Sequence, residues 1–178
     1  MSEKYPPVLL RYLKIFQDDP TSRIFAPLAE AYRKIGLFDE AIEICLEGLT
    51  ANPDFIGGKV ALARAYFDKK MFVQVRDLLT NVVAQAPDNI MAQRLFADSN
   101  LALGFVKEAL SSYKMLLYLC PYDQDVCAIV QDLETQSYEG GGLIKGGIIT
   151  AHQKPEKLRK LMKIQKLLNR LQELQTRN

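Results

Sequence analysis

The chain has 178 residues, 48% of them hydrophobic and 25% charged, with a net charge of +2 at pH 7. That is enough apolar material for a continuous core, while no uninterrupted apolar run of 18 residues exists to span a membrane. Three cysteines cannot all pair with one another, and the opening MSEKYPPVLL lacks the long apolar core of a secretory signal, so the expected setting is reducing and cytoplasmic.

In chain order, the first predicted element is a helix within residues 6–19. PPVLLRYLKIFQDD begins on proline, stops before Pro20 and carries an apolar stripe of Leu9, Leu10, Leu13 and Phe16. Beyond it, Pro53, Pro87 and Pro121 stand 34 residues apart, and most apolar positions between them keep one register. Leu28 coincides with Leu62, Ala29 with Ala63 and Ala97, Tyr32 with Tyr66, and Phe38 with Phe72 and Val106. Such a period marks a helical-hairpin repeat. Gly36 and Gly104 fall where a turn must separate two helices, with Ala41 and Ala109 five residues later, and each unit closes on Asn-Pro, Ala-Pro or Cys-Pro. Small residues let the helices of a hairpin approach, large ones fill the gaps, and proline ends the second helix because it lacks an amide donor.

With these residues in place the chain resembles the tetratricopeptide-repeat (TPR) family, with full repeats at about residues 22–55, 56–89 and 90–123. The run LAEAYRKIGLFDEAIE from Leu28 to Glu43 carries nearly every family position. The second repeat departs at Lys70, where the turn glycine is expected, and at Val75, where a small residue is expected; the third has Asn100 in place of tyrosine. The predicted fold class is all-α: a right-handed TPR-type helical-hairpin solenoid of three repeats plus capping helices and a C-terminal amphipathic helix. Residues 1–20 form the N-terminal half-repeat cap. Residues 22–138 hold the three hairpins and a capping helix from Tyr122 to Tyr138, which continues the register with Ala128 and Ile129 and covers the open end of the stack.

The run EGGGLIKGG then opens a glycine-rich linker, residues 139–153, too rich in glycine to stay helical. Residues 154–178 read as a basic amphipathic helix. Leu158, Leu161, Ile164, Leu167, Leu168, Leu171 and Leu174 follow spacings of three and four, and Pro155 suits a first helical turn. This segment has eight Lys or Arg against two Glu, a balance of +6 that leaves −4 for residues 1–153. Such a helix needs a surface to pack on. The foremost option is the same solenoid or a second copy through Leu161, Ile164, Leu168 and Leu171, which makes a homodimer one expected arrangement. Docking onto another protein follows, then a membrane surface, disfavoured because the tail has no Trp or Phe. Specific nucleic-acid binding is not expected, since no reading motif accompanies the charge.

The resemblance implies a groove lined by the first helix of each hairpin, holding a peptide or helix of a partner protein. Projected onto this chain, the groove has Arg23, Ala26, Glu30, Arg33 and Lys34 in the first repeat and Val60, Arg64, Phe67 and Asp68 in the second. Met91, Arg94, Asp98 and Leu101 follow in the third, with Asp125, Ala128 and Asp132 on the capping helix. The surface grades from basic to acidic, with an apolar strip of Val60, Phe67, Met91 and Leu101 between. The candidate binding residues are Arg23, Arg33, Val60, Arg64, Phe67, Met91, Arg94, Asp98 and Leu101, foremost Arg64, Phe67 and Arg94, because arginine beside apolar area is a common interface composition. The family's chaperone-tail binders clamp a terminal carboxylate with Lys and Asn. Ala26 and Glu30 stand at first-repeat positions where that clamp is expected, so that ligand class is rejected. The acidic end formed by Asp98, Asp125 and Asp132 suggests instead that the basic tail lies across the groove as a displaceable plug.

Catalysis has little support. His152 lacks a nearby cysteine or carboxylate pair at ligand spacing, and Cys120 and Cys127, seven residues apart without His, make a poor zinc pattern. Cys45 occupies a large packing position and reads as a small buried hydrophobe. GGGLIKGG lacks the Ser or Thr and the preceding strand of a phosphate loop. No catalytic residue, metal or cofactor is assigned. The expected function is a non-catalytic adaptor or scaffold; a small secretion-type chaperone and a peripheral membrane adaptor are the alternatives.

Overall fold

The structure is a computed structural model that describes residues 6–139. The expected tail helix 154–178, with its face of Leu161, Ile164, Leu168 and Leu171, and the glycine-rich run from Gly140 lie outside the described residues.

Within the described residues eight α-helices follow one another: α1 (Pro7–Asp18), α2 (Phe25–Lys34), α3 (Phe38–Ala51), α4 (Ile56–Asp68), α5 (Phe72–Gln85), α6 (Ile90–Leu103), α7 (Val106–Leu119) and α8 (Gln124–Glu139). Each packs on the next. In addition α2 lies against α4 and α4 against α6, whereas among the described residues no Cα of α3, α5 or α7 comes within 8 Å of another helix of that set. The first helices of the hairpins therefore form the closer inner layer and the second helices fan apart outside it.

The hairpins are all reversed in the same way. After α2, the Gly36 amide donates to the Arg33 carbonyl and the Leu37 amide to that of Tyr32; Lys70 and Met71 repeat the pair on Phe67 and Tyr66, and Gly104 and Phe105 on Leu101 and Asn100. This is the glycine-type helix stop, whose turning residue must be left-handed. Gly36 and Gly104 have φ of 83° and 84°, and Lys70, which stands in for glycine, is forced to φ 61°. The second helices also end alike. Asn52, Ala86 and Cys120, each before a proline, leave the α region at φ −131°, −132° and −132° with ψ of 63°, 72° and 78°, as steric conflict with the following ring requires.

Three apolar clusters fill the stack. Leu9 and Phe16 of α1 join Phe25, Leu28, Ala29, Ala41 and Cys45, with Tyr12 and Leu13 packed alongside, so α1 covers the first hairpin. Of the predicted stripe, Leu10 is only half-buried and lies outside the cluster. Val75, Leu79, Val82, Ala92 and Leu95 form the second cluster, and Tyr113, Leu116, Val126, Val130 and Leu133 close the third against α8. The repeated Ala29, Ala63 and Ala97 are all buried, and so are Ala41, Val75 and Ala109.

One close approach was not apparent in the repeat pattern. Phe25 is fully buried in a slot between two glycines, where a Cβ on Gly48 would lie 2.1 Å from its Cγ and one on Gly58 would lie 2.5 Å from its Cζ. Gly48→Ala is therefore expected to lower stability by about 1–3 kcal/mol through overpacking. Lys70→Gly is expected to raise it by about 0.5–1 kcal/mol, because relief of the left-handed strain exceeds the added freedom of the unfolded chain. Urea titrations of the two variants, read against the parent chain, check both signs.

Candidate functional site

The inner layer carries most of the candidate residues, and ion pairs tie many of them together. Arg33 donates to both oxygens of Glu30 at 2.9 and 2.8 Å, and to Asp68 of the next repeat at 2.5 Å. Arg64 on α4 reaches back to Glu30 at 3.1 Å. All four side chains are half-buried, so water screens the ladder only in part. The hydrogen bond from Arg33, helped by the charges of Arg33, Arg64 and Lys34, holds the Glu30 carboxyl below its usual range in spite of burial. Glu30, and after it Asp68, push the Arg33 guanidinium up. The basic face expected of the first two repeats is thus largely neutralised by its own carboxylates. Lys69 also pairs with Asp39.

The other candidates are placed as follows. Arg23 is exposed, with its guanidinium 5.1 Å from the centre of the Phe55 ring. Val60 is 9% exposed and belongs to the second core cluster, so it is packing material and not part of an open apolar strip. The close approach of α6 to α4 accounts for that burial. Phe67 is half-buried and meets Phe72 edge to face at 5.4 Å. Leu101 packs half-buried against the third cluster. Asp98 accepts a 2.5 Å hydrogen bond from the Tyr113 hydroxyl. Burial pushes its carboxyl up, against the hydrogen bond from Tyr113 and the charge of Arg94. Burial likewise pushes the Tyr113 phenol up, with the charge of Asp98 adding to it.

The surface changes character at the start of α6. No Cα of α8 lies within 8 Å of α6 among the described residues, so α6 loses the neighbour that α4 has. At that opening Ile90, Met91 and Arg94 of α6, Leu116 and Cys120 at the end of α7, and Asp123 before α8 line a depression of about 160 Å³. Ile90 is 49% exposed and Met91 41%. Arg94 pairs with Asp123 at 3.3 Å, and the other Asp123 oxygen accepts from the Val126 amide at 3.1 Å, capping α8. Met91 and Arg94 were among the sequence candidates; Ile90, Leu116, Cys120 and Asp123 were not. No sequence signal marks them: Ile90 is left open because α8 stands off from α6, while Leu116, 2% exposed, forms the floor of the depression.

The described residues hold no group of three or more His, Cys, Asp or Glu side chains placed to bind a metal ion. None of the described helices is long and apolar enough to cross a membrane. All three thiols are free, and burial pushes that of Cys45 up to about 12, as expected of a small buried hydrophobe.

No family model matches the chain, and no curated protein does. Solved structures do match. The crystal structure of MamA superposes with a TM-score of 0.65 at 20% identity, over 87% of this chain and 89% of that one. The first TPR of Spaghetti (RPAP3), bound to the HSP90 peptide SRMEEVD, superposes with a TM-score of 0.60 at 23% identity, over 67% of this chain and 97% of that one. TTC0263, a thermophilic TPR protein of Thermus thermophilus, gives 0.59 at 19% identity, over 72% of each chain. The fold is therefore that of TPR proteins.

The raised Asp98 carboxyl yields a test with a definite sign. A group that gains its proton more readily when folded costs stability where it is charged and costs none below the unfolded carboxylate range. Asp98→Asn, which retains an oxygen to accept from Tyr113, is expected to gain about 1 kcal/mol at pH 7 and to lose that advantage below about pH 4. Tyr113→Phe is expected to lose about 1–3 kcal/mol at pH 7, because the carboxylate then lacks its donor. Urea unfolding at both pH values measures the two differences.

Proposed function

We propose that this chain is a non-catalytic, cytoplasmic protein–protein interaction module that holds a partner segment along α2, α4 and α6, with its apolar anchor in the α6–α7–α8 crevice. The observation that carries the reading is the exposure of Ile90 and Met91 beside Arg94 in a depression of the inner layer. Methionine and arginine beside a desolvated pocket are typical of interface anchors. The TPR fold adds a general association with protein binding, and the RPAP3 domain is itself seen with a bound peptide. Packed helices hold the crevice in place, so binding costs the scaffold little ordering. A peptide ending in a carboxylate is a poor ligand here, because Glu30 occupies the inner face with its charge fixed by Arg33 and Arg64. The basic 154–178 segment enters the same reading as an element for docking or self-association.

A photoreactive benzoylphenylalanine placed at Met91 in the cell should give a discrete protein adduct, at least several-fold reduced by Ile90→Asn, which removes an apolar wall of the depression without changing its charge. The same probe at Val73, 53% exposed on outer helix α5, should give none. Equal adducts from both positions would remove the assignment of the inner face.

A further inference from the structure

We propose that the α6–α7–α8 crevice selects a basic amphipathic partner segment. One aliphatic side chain sits between Ile90, Met91 and Leu116, and flanking Lys or Arg residues lie near Asp88 and Asp125. The inference rests on the interaction reading above and gives it a partner chemistry.

Charge is distributed unevenly along the described chain. Residues 6–85 carry ten Lys or Arg and ten Asp or Glu, and several of these pair within the inner layer. Residues 86–139 carry three basic and eight acidic side chains, a balance of −5. Two of those three cations are already engaged, Arg94 with Asp123 and Lys114 with Glu134 at 2.7 Å. The acidic excess therefore gathers in the part of the chain that holds the apolar depression. Asp88 stands exposed in the turn before α6, and Asp125 exposed in the first turn of α8. The positive end of α8 does not reverse this field, because Asp123 caps it and Asp125 lies in its first turn. A field of one sign over an apolar depression attracts a segment of the opposite sign and repels an acidic one. Arg94 does not attract an acidic ligand efficiently, since Asp123 already neutralises it.

The probe is a dye-labelled peptide, KLRKLMKIQKLL, which has this chemistry and occurs in the chain at residues 157–168. Its binding is read by fluorescence anisotropy on the full-length chain with Gln at Lys157, Arg159, Lys160, Lys163 and Lys166, which removes competition from the tethered copy, beside a charge-inverted peptide with Glu at every Lys and Arg. The basic peptide should bind and weaken as salt rises from about 50 to 300 mM, while the inverted one should not bind. Met91→Glu should weaken binding about tenfold or more. Asp88→Lys and Asp125→Lys should each weaken it about threefold, the size of an exposed charge contact. All three sites are on the surface, and circular dichroism confirms that the variants fold. Equal binding of both peptides, or binding indifferent to all three substitutions, overturns the proposal. Failure of the basic peptide to bind also overturns it, yet leaves the interaction reading to stand or fall on the Met91 crosslink.

Discussion

The stack depends on a reversal made by one left-handed residue. At Gly36, Lys70 and Gly104 the chain turns back with the same two hydrogen bonds, so each second helix returns along its first. Only then do Ala29 and Ala41, Ala63 and Val75, and Ala97 and Ala109 share a cluster across their hairpins, and only then do successive first helices lie side by side. Glycine makes this turn without a Cβ conflict, and the middle hairpin makes it with a lysine under strain. That the geometry survives the lysine shows how strongly the surrounding packing specifies the turn.

Electrostatics divides the inner layer into two zones. From α2 to α4, Glu30 and Asp68 fix two arginines, which makes that face a rigid, nearly neutral strut between repeats. Around α6 the carboxylates outnumber their partners and the apolar residues stand open. The difference follows from helix placement more than from composition. Where α6 lies on α4, the surface residues of α4 are covered or paired. Where α8 stands off from α6, the equivalent residues face solvent.

The same comparison shows how much of the molecule was legible in the sequence. The spacing of Pro53, Pro87 and Pro121, with the alanines in register, was enough to place the hairpins, because a repeat of 34 residues leaves few other ways to bury its apolar positions. Exposure was not legible in this way. Val60 and Arg94 share a register position, yet one is in the core and the other lines the crevice; Ile56, half-buried against the same core, and Ile90, which stands exposed, also share one. Tertiary neighbours decide these cases, and register is silent about neighbours at the end of a stack. The Phe25 slot lies between the two extremes. Gly48 stands where later repeats have Val82 and Leu116, and Phe25 where they have Lys59 and Gln93, so a glycine has replaced a large apolar residue and an aromatic ring a polar chain across one interface. Reading both positions together would have exposed the double replacement. Reading either alone would not. The charge ladder had a similar signal, since Glu30 and Arg33 are one helical turn apart; its reach to Arg64 and Asp68 required the fold.

Cys45 has a practical consequence beyond packing. Its sulfur is shut inside the first apolar cluster, and its thiolate is suppressed, whereas Cys120 and Cys127 are partly open to solvent. Maleimides and disulfide reagents attack thiolates they can reach, so the two outer sulfurs react in the native state and Cys45 reacts only after its layer separates. The rate of that third, slow labelling event is a built-in clock for the breathing of the first repeat. It works in dilute solution, without a fluorophore and without any change to the sequence.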